Sequence, residues 1–135
     1  MKPLAVPPLA ERTVIDYLTP LLASRGEDVT VGVNVPLTWT TGSKAHVQVG
    51  HDGTPEVHYP IYVVAAVRVT VWHASTTVAQ NLANLCNALL LSHGGDGAVA
   101  GVSAGTGVLP VSDPDTGAEL ATIGVNVRLH CSVLS

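Results

Sequence analysis

The segment "IYVVAAVRVTVWHASTTVAQNLANLCNALL", residues 61 to 90, changes its apolar period from two to about 3.6 at Ser75. Before Ser75 the residues alternate between two faces that are both largely apolar, which predicts a long strand. Ser75 is a typical N-cap, and His93-Gly94-Gly95 ends the helix that follows. The predicted buried stripe of this helix consists of Val78, Leu82, Leu85 and Leu89, with Ala79, Cys86 and Leu90 beside it. Because the helix follows the strand directly and has one apolar stripe, we expect it to lie across the sheet that contains this strand.

The sequence before this segment predicts a first helix and two shorter strands. Apolar residues recur at helical spacing from Leu9 to about Arg25, and Gly26 stands at the C-cap. Pro20 predicts either a kink or a new turn capped by Thr19. Residues 29–35 alternate as a strand closed by Pro36, and residues 45–53 predict a short strand ending in an Asp-Gly turn. Residues 52–60 are expected to form a loop.

The sequence after it predicts a weak edge and a strong final strand. Residues 95–111 are rich in glycine and predict a broken or edge strand, and "DPDTG", residues 113–117, predicts a turn. Residues 122–133 alternate as a last strand whose inward residues are Ile123, Val125, Val127, Leu129, Cys131 and Val133.

The expected fold is therefore α+β, in the order α-β-β-β-α-β-β. A mainly antiparallel sheet of four to five strands carries two helices on one face, in a single domain over residues 1–135. Residues 1–8 contain three prolines and predict an extended arm, of a kind that often lies on a neighbouring subunit.

The composition limits the partners that the protein can have. Hydrophobic residues make up 47% of the chain and charged residues 12%, so part of the surface is expected to be covered by other subunits. The net charge is −4 and no run of basic residues is present, which argues against sequence-specific nucleic-acid binding. The same charge suits a surface that nucleic acid passes without adhering.

A hydrolase-like pattern occurs at residues 101–105, where Gly101-Val102-Ser103-Ala104-Gly105 has the G-x-S-x-G spacing. Asp113, Asp115 and His130 follow in an order that some hydrolases use. A nucleophile elbow needs a helix directly after the serine, and the glycines and proline after Ser103 prevent one. We therefore expect no enzyme activity, and we interpret the two aspartates as turn formers.

Metal, disulfide and membrane signals are weak. The six histidines show no metal-ligand spacing such as H-x-x-x-H, so neither a metal nor another cofactor is expected. Cys86 and Cys131 are expected to be reduced, buried thiols. Prolines interrupt the N-terminal residues, and no apolar stretch approaches 18 residues, so no signal peptide or membrane span is predicted. The protein is expected to act in a cytoplasm or in a particle assembled there.

The large aromatic residues indicate contact surfaces. Tyr62 and Trp72 lie on the second face of the long strand, where they either pack on the sheet or meet a neighbouring subunit. Trp39 stands alone in a polar loop, and a partner explains it better.

Three segments, in this order, resemble the tail terminator proteins of long-tailed phages. They are "LLASRGEDVTVGVNVP" (21–36), the strand-into-helix segment (61–90), and "VLPVSDPDTGAELATIGVNVRLHCSV" (108–133). The resemblance implies a homo-oligomeric ring, usually a hexamer, that caps the head-proximal end of the tail tube and stops its polymerisation. Its partners would be the tail-tube protein and a neck or head-completion protein, with DNA passing through the lumen. It would be located at the neck end of the virion tail, after assembly in the host cytoplasm.

Under this interpretation, contacts are expected through the loops at 36–60 and 112–118. The candidate interaction residues are Trp39, Lys44, His51, Tyr59, Tyr62, Trp72, Asp113 and Asp115. The Gly-rich segment 94–107 departs from the family pattern, which leaves its contact with the tube open. Two alternatives also remain: a head-completion or stopper protein of the neck, and a non-phage α+β binding module.

Overall fold

Two helices lie on one face of a six-stranded sheet in the computed structural model, which describes residues 2–134. In chain order the elements are β1 (Ala5–Val6), α1 (Ala10–Ser24), β2 (Val29–Gly32), β3 (Ala45–His58), β4 (Tyr62–His73), α2 (Thr76–Leu91), β5 (Val99–Ala104), β6 (Leu109–Ser112), β7 (Glu119–His130) and β8 (Ser132–Val133). The main sheet has the order β2-β3-β4-β7-β5, and β6 also pairs with β7. Among the strand pairs of the described residues, only β2–β3 is parallel. The expected α+β class is confirmed, with a mixed sheet that has more strands than predicted.

The centre of the sheet is the long antiparallel pair of β4 and β7. The two strands pair along their whole length, from Tyr62 opposite His130 to His73 opposite Glu119. Alternate residues point toward the helices and form a core made largely of valine, which packs well on a pleated surface. Its fully buried members include Val47, Val49, Val67, Val69, Val71, Ile123, Val125, Val127 and Leu129, with Leu18, Leu22 and Leu90 from the helices.

Helix α1 ends as the sequence predicts. Gly26 has φ +79°, a left-handed conformation that favours glycine. Its N–H donates to the Ala23 carbonyl, and the N–H of Glu27 donates to the Leu22 carbonyl, both at 3.0 Å, which is a Schellman motif. A new turn capped by Thr19 was the wrong alternative. The Thr19 hydroxyl donates to the Ile15 carbonyl at 2.7 Å inside a helix that continues past Pro20.

Helix α2 begins at the predicted cap, where the Ser75 hydroxyl accepts from the Val78 N–H at 3.4 Å. Its buried stripe is rotated from the prediction. Val78 is 43% exposed, while Ala83 is fully buried. The face richest in small side chains lies against the sheet because alanine lets the helix approach the strands closely. The residues buried on this helix are Ala79, Leu82, Ala83, Cys86 and Leu90.

Strand β3 is much longer than predicted. The expected loop at 52–60 is wrong, because β3 stays paired with β4 as far as His58 opposite Tyr62. Register shifts between His51 and Gly53, and again between Gly53 and Glu56, interrupt the alternation that would identify a strand. Strand β2 is shorter than predicted and ends at Gly32.

The Gly-rich segment forms a broken edge strand, as predicted. Strands β5 and β6 pair with successive parts of the same edge of β7. At the break, the Gly105 N–H donates to the Gly124 carbonyl at 3.1 Å, and the Gly124 N–H donates to the Thr106 carbonyl at 3.0 Å. A Cβ on Gly105 would lie only 2.7 Å from the Gly124 oxygen, so the close approach requires glycine there.

The end of the chain departs from the prediction of one strand over residues 122–133. The chain leaves the sheet after His130, so Cys131 is only half-buried and Val133 is 64% exposed. Strand β8 instead pairs with β1. The arm that was expected to lie on a neighbour is therefore paired within its own chain from Ala5 to Val6.

Candidate interaction surface

The face of the sheet opposite the helices, called here the open face, has no helix over it among residues 2–134. Along β4 it presents Tyr62, Val64, Ala66, Arg68, Thr70 and Trp72, and along β7 it presents Leu120, Thr122, Gly124, Asn126, Arg128 and His130. Most of these side chains are half-buried by their neighbours alone. The open face is thus a broad, partly apolar surface.

One end of the open face is covered by the loop at residues 33–44. Trp39 is 8% exposed, and its Nε1–H donates to the Lys44 carbonyl at 3.0 Å. Its side chain meets that of Trp72, whose Nε1–H donates to Gln48 Oε1 at 3.1 Å. The expectation that Trp39 needs a partner subunit is corrected, because its own chain buries it.

His46 lies beside this covered end and is 2% exposed. Its Nδ1 is 2.6 Å from the Thr30 hydroxyl, and its Nε2 has no hydrogen-bond partner among the described residues. Burial lowers the pKa of His46 below its usual 6.5, because the charged imidazolium would lose its hydration. The folded environment therefore favours the neutral imidazole, although the Asn34 backbone acts in the opposite direction.

At the other end of the open face, Tyr62 stacks with two neighbours. The His58 ring lies parallel to it within 26°, with 4.5 Å between centroids, and Arg128 Cζ lies 4.4 Å from its centroid. His58 Nε2 is 3.1 Å from Glu56 Oε2. Stacking on Tyr62 holds the Arg128 guanidinium over the sheet.

A concave site of about 510 Å³, called here the Arg128 trough, lies beside this stack. It is lined by Pro55, Glu56, Val64, Ala100, Gly101, Val102, Ser103, Asn126 and Arg128. These residues come from β3, β4, β5 and β7, so the trough crosses most of the sheet. Arg128 forms no ion pair with any carboxylate of residues 2–134.

The tip of the β3–β4 hairpin holds the N-terminal arm. The Tyr59 hydroxyl accepts from the Ala5 N–H at 3.0 Å and donates to the Pro3 carbonyl at 2.6 Å. This contact gathers exposed apolar side chains at one end of the molecule, called here the apolar end. They are Leu4, Val6, Leu9, Val57, Ile61, Val133 and Leu134.

The acidic turn, residues 113–117, is closed by its own hydrogen bonds and confirms the turn prediction. Asp113 Oδ1 accepts from the Asp115 N–H at 3.3 Å, and Oδ2 accepts from the Thr116 hydroxyl at 2.7 Å. The Gly117 N–H donates to the Asp113 carbonyl at 2.9 Å. The Asp115 carboxylate makes no hydrogen bond or ion pair within the described chain, so it is free for an outside partner.

Two further candidates have local partners. Lys44 Nζ lies 3.3 Å from Asp28 Oδ1, and His51 Nε2 lies 2.9 Å from the Gly53 carbonyl. The structure thus brings Trp39, Lys44 and Trp72 to one end of the sheet. Tyr59 and Tyr62 are at the other end, and His51 is on the β3 edge.

The hydrolase-like residues are not assembled. Ser103 pairs opposite Asn126, while His130 lies four residues further along β7. Asp113 and Asp115 precede the opposite end of that strand. Among residues 2–134, no three His, Cys, Asp or Glu side chains are grouped to hold a metal ion.

Both cysteines are free, but only one is fully buried as expected. Burial, with a smaller contribution from the charge of Glu27, raises the pKa of Cys86 to about 12. Cys131 is half-buried, which corrects the expectation of two buried thiols.

Sequence reasoning missed the residues of the Arg128 trough. Arg128 lies between the inward residues of the predicted last strand, but Glu56 falls in the segment 52–60 that the sequence predicts as a loop. The apolar–polar alternation of β7 was the only sequence signal for a trough residue, since it places Arg128 on the open face. The bulges of β3 interrupt its alternation, so the sequence does not reveal that this part of β3 pairs with β4.

Neither a protein-family model nor a curated protein sequence matches this chain. Within residues 2–134, no helix has the length and apolar character needed to cross a membrane.

Proposed function

We propose that this chain is a structural protein of a long-tailed phage virion. Six copies form a ring that caps the head-proximal end of the tail tube, ends tube polymerisation and joins the tail to the neck. The protein makes and breaks no covalent bond, and its partners are copies of itself, the tail-tube protein and a neck protein.

The observation that carries this proposal is the amount of apolar surface that the isolated subunit leaves uncovered. The apolar end places Leu4, Ile61 and Leu134 in the same region, and each is at least half exposed. Exposed apolar side chains grouped at one end of a subunit are typical of sites of protein association. In a ring, each subunit has two neighbours, which provide two interfaces to cover the apolar end and the open face.

The charge of the chain supports a conduit role. Six Lys and Arg residues against ten Asp and Glu leave a net charge of −4. A lumen built from such subunits repels phosphate, so DNA passes through it without non-specific adhesion.

The test is tube length. The purified protein is mixed with the tail-tube protein of the same phage, and tubes are measured by electron microscopy. We expect short, capped tubes with the natural protein and with Val78→Asp, which changes an exposed residue on α2 away from both surfaces. Ile61→Asp, at the apolar end, is expected to lose capping. Tubes of unchanged length with the natural protein would contradict the proposal.

A further inference from the structure

We propose that the Arg128 trough of one copy receives the acidic turn of a second copy. This inference rests on the proposed ring, and it names the contact between neighbouring subunits. The pair at its centre is the Arg128 guanidinium and the Asp115 carboxylate.

The trough has the chemistry to bind a carboxylate. Arg128 Cζ lies 4.4 Å from the Tyr62 ring centroid, which holds the guanidinium in place, and no carboxylate of residues 2–134 forms an ion pair with it. The Glu56 carboxylate lines the same trough but is held 3.1 Å from His58 Nε2. Asn126 and Ser103 line the same site and can donate hydrogen bonds. Arginine binds carboxylates through two parallel N–H groups, which makes such a site selective for an acidic partner.

The acidic turn has the complementary chemistry. Asp113 is occupied by Thr116 and by the Asp115 N–H, and Glu119 accepts from the Ser112 hydroxyl at 2.7 Å. No Lys or Arg occurs in the sequence between Arg68 and Arg128, so the turn has no basic residue near it in the chain. Its internal hydrogen bonds hold the turn rigid before binding, which reduces the entropy lost on association.

The two surfaces cannot meet within one copy. The turn precedes Glu119 at the start of β7, and Arg128 lies nine residues further along the same strand. At about 3.3 Å per residue, this separation is roughly 30 Å. A contact between different patches of two identical chains is heterologous when it is not reciprocated between the two copies, and heterologous contacts close into a ring when the rotation between neighbours returns to the first copy.

Charge reversal tests the contact directly. Sedimentation velocity measures self-association of the natural protein, of Arg128→Glu and of Asp115→Arg. We expect each variant alone to associate roughly tenfold or more weakly, because each places like charges together. An equal mixture of the two variants is expected to regain association, since it restores one natural pair and creates one inverted pair. Arg25→Glu is the control and is expected to behave as the natural protein.

Each outcome decides the proposal. Recovery in the mixture also shows that both variants are folded. A natural protein that stays monomeric at every concentration would overturn the contact, as would variants that associate normally or a mixture that does not recover. Loss of association in Arg128→Glu but not in Asp115→Arg would assign the trough to a different acidic partner. Full recovery with no effect on tube length would reject the terminator function and keep the contact.

Discussion

The indole rings of Trp39 and Trp72 meet edge to face, with 5.9 Å between their centroids and 70° between their planes. One ring comes from the loop at 33–44 and the other from β4 in the centre of the sheet. These are the only two tryptophans in the chain. Intrinsic fluorescence therefore reports on a single place, the junction between this loop and the open face.

Replacing Trp39 should destabilise the protein. Trp39→Ala removes a buried aromatic contact and a hydrogen bond to Lys44, which we expect to lower the free energy of unfolding by about 3 kcal/mol. Urea titration followed by circular dichroism measures the change. Leu37→Ala in the same loop alters a fully exposed side chain and should cost less than about 0.5 kcal/mol. Equal losses in the two variants would contradict the packing role of Trp39.

Lowering the pH should destabilise the junction between the loop at 33–44 and the open face, because His46 lies buried beside it. Its pKa in the folded protein lies below the usual 6.5, so the unfolded chain takes up a proton first as the pH falls. The stabilisation is complete above pH 6.5 and is lost as the pH falls through the lower pKa of the folded state. The slope is at most about 1.4 kcal/mol per pH unit. Tryptophan emission measured from about pH 7.5 to about pH 5 should shift to the red.

The matched variants separate His46 from the other histidines. His46→Gln cannot be protonated and should flatten the pH dependence, while His51→Gln changes an exposed side chain and should leave it as it is. A pH dependence that survives His46→Gln would show that another group is responsible.

The two thiols should differ in reactivity. A thiol reagent at about pH 8 is expected to modify Cys131 in the folded protein, while Cys86 reacts only in denaturant. Burial raises the pKa of Cys86 from 9.0 to about 12, so the folded state favours the neutral thiol. The stabilisation is complete below pH 9.0 and is lost as the pH rises toward 12. Mass spectrometry identifies the labelled residue, and rapid labelling of folded Cys131→Ser at Cys86 would contradict this burial.

Two glycines near the broken edge offer a paired test. Gly105→Ala places a methyl group within 2.7 Å of the Gly124 oxygen, which should cost about 1–3 kcal/mol. Gly107→Ala has no atom within 4 Å of the new Cβ and should be nearly neutral. Hydrogen exchange should show faster exchange at Gly105 and Gly124 in the first variant only. Similar exchange in both variants would mean that the break accommodates a side chain.

The elements that sequence predicts best are those with one uninterrupted period. Strand β4 and the cap of α2 follow from alternation and from Ser75, because burial on the sheet demands that pattern. Strand β3 beyond His51 was missed because each bulge moves later residues to the other face. An analysis of apolar periodicity alone does not detect a strand whose alternation changes phase at a bulge.

The interaction surface was less predictable than the fold because it depends on pairing between distant strands. The acidic turn is local and was predicted, whereas the Arg128 trough joins residues from four strands. Trp39 was misjudged for a similar reason. Its neighbour Trp72 is 33 residues away in the sequence, and no short-range pattern reveals that they meet.

The small sheet of β1 and β8 keeps the two ends of the described chain together. The Leu134 N–H donates to the Leu4 carbonyl at 2.8 Å, and Ala5 pairs with Val133. Fluorophores attached at exposed positions of this sheet, such as Val6 and Val133, would therefore lie side by side. Energy transfer between such labels would report whether β1 has detached from β8.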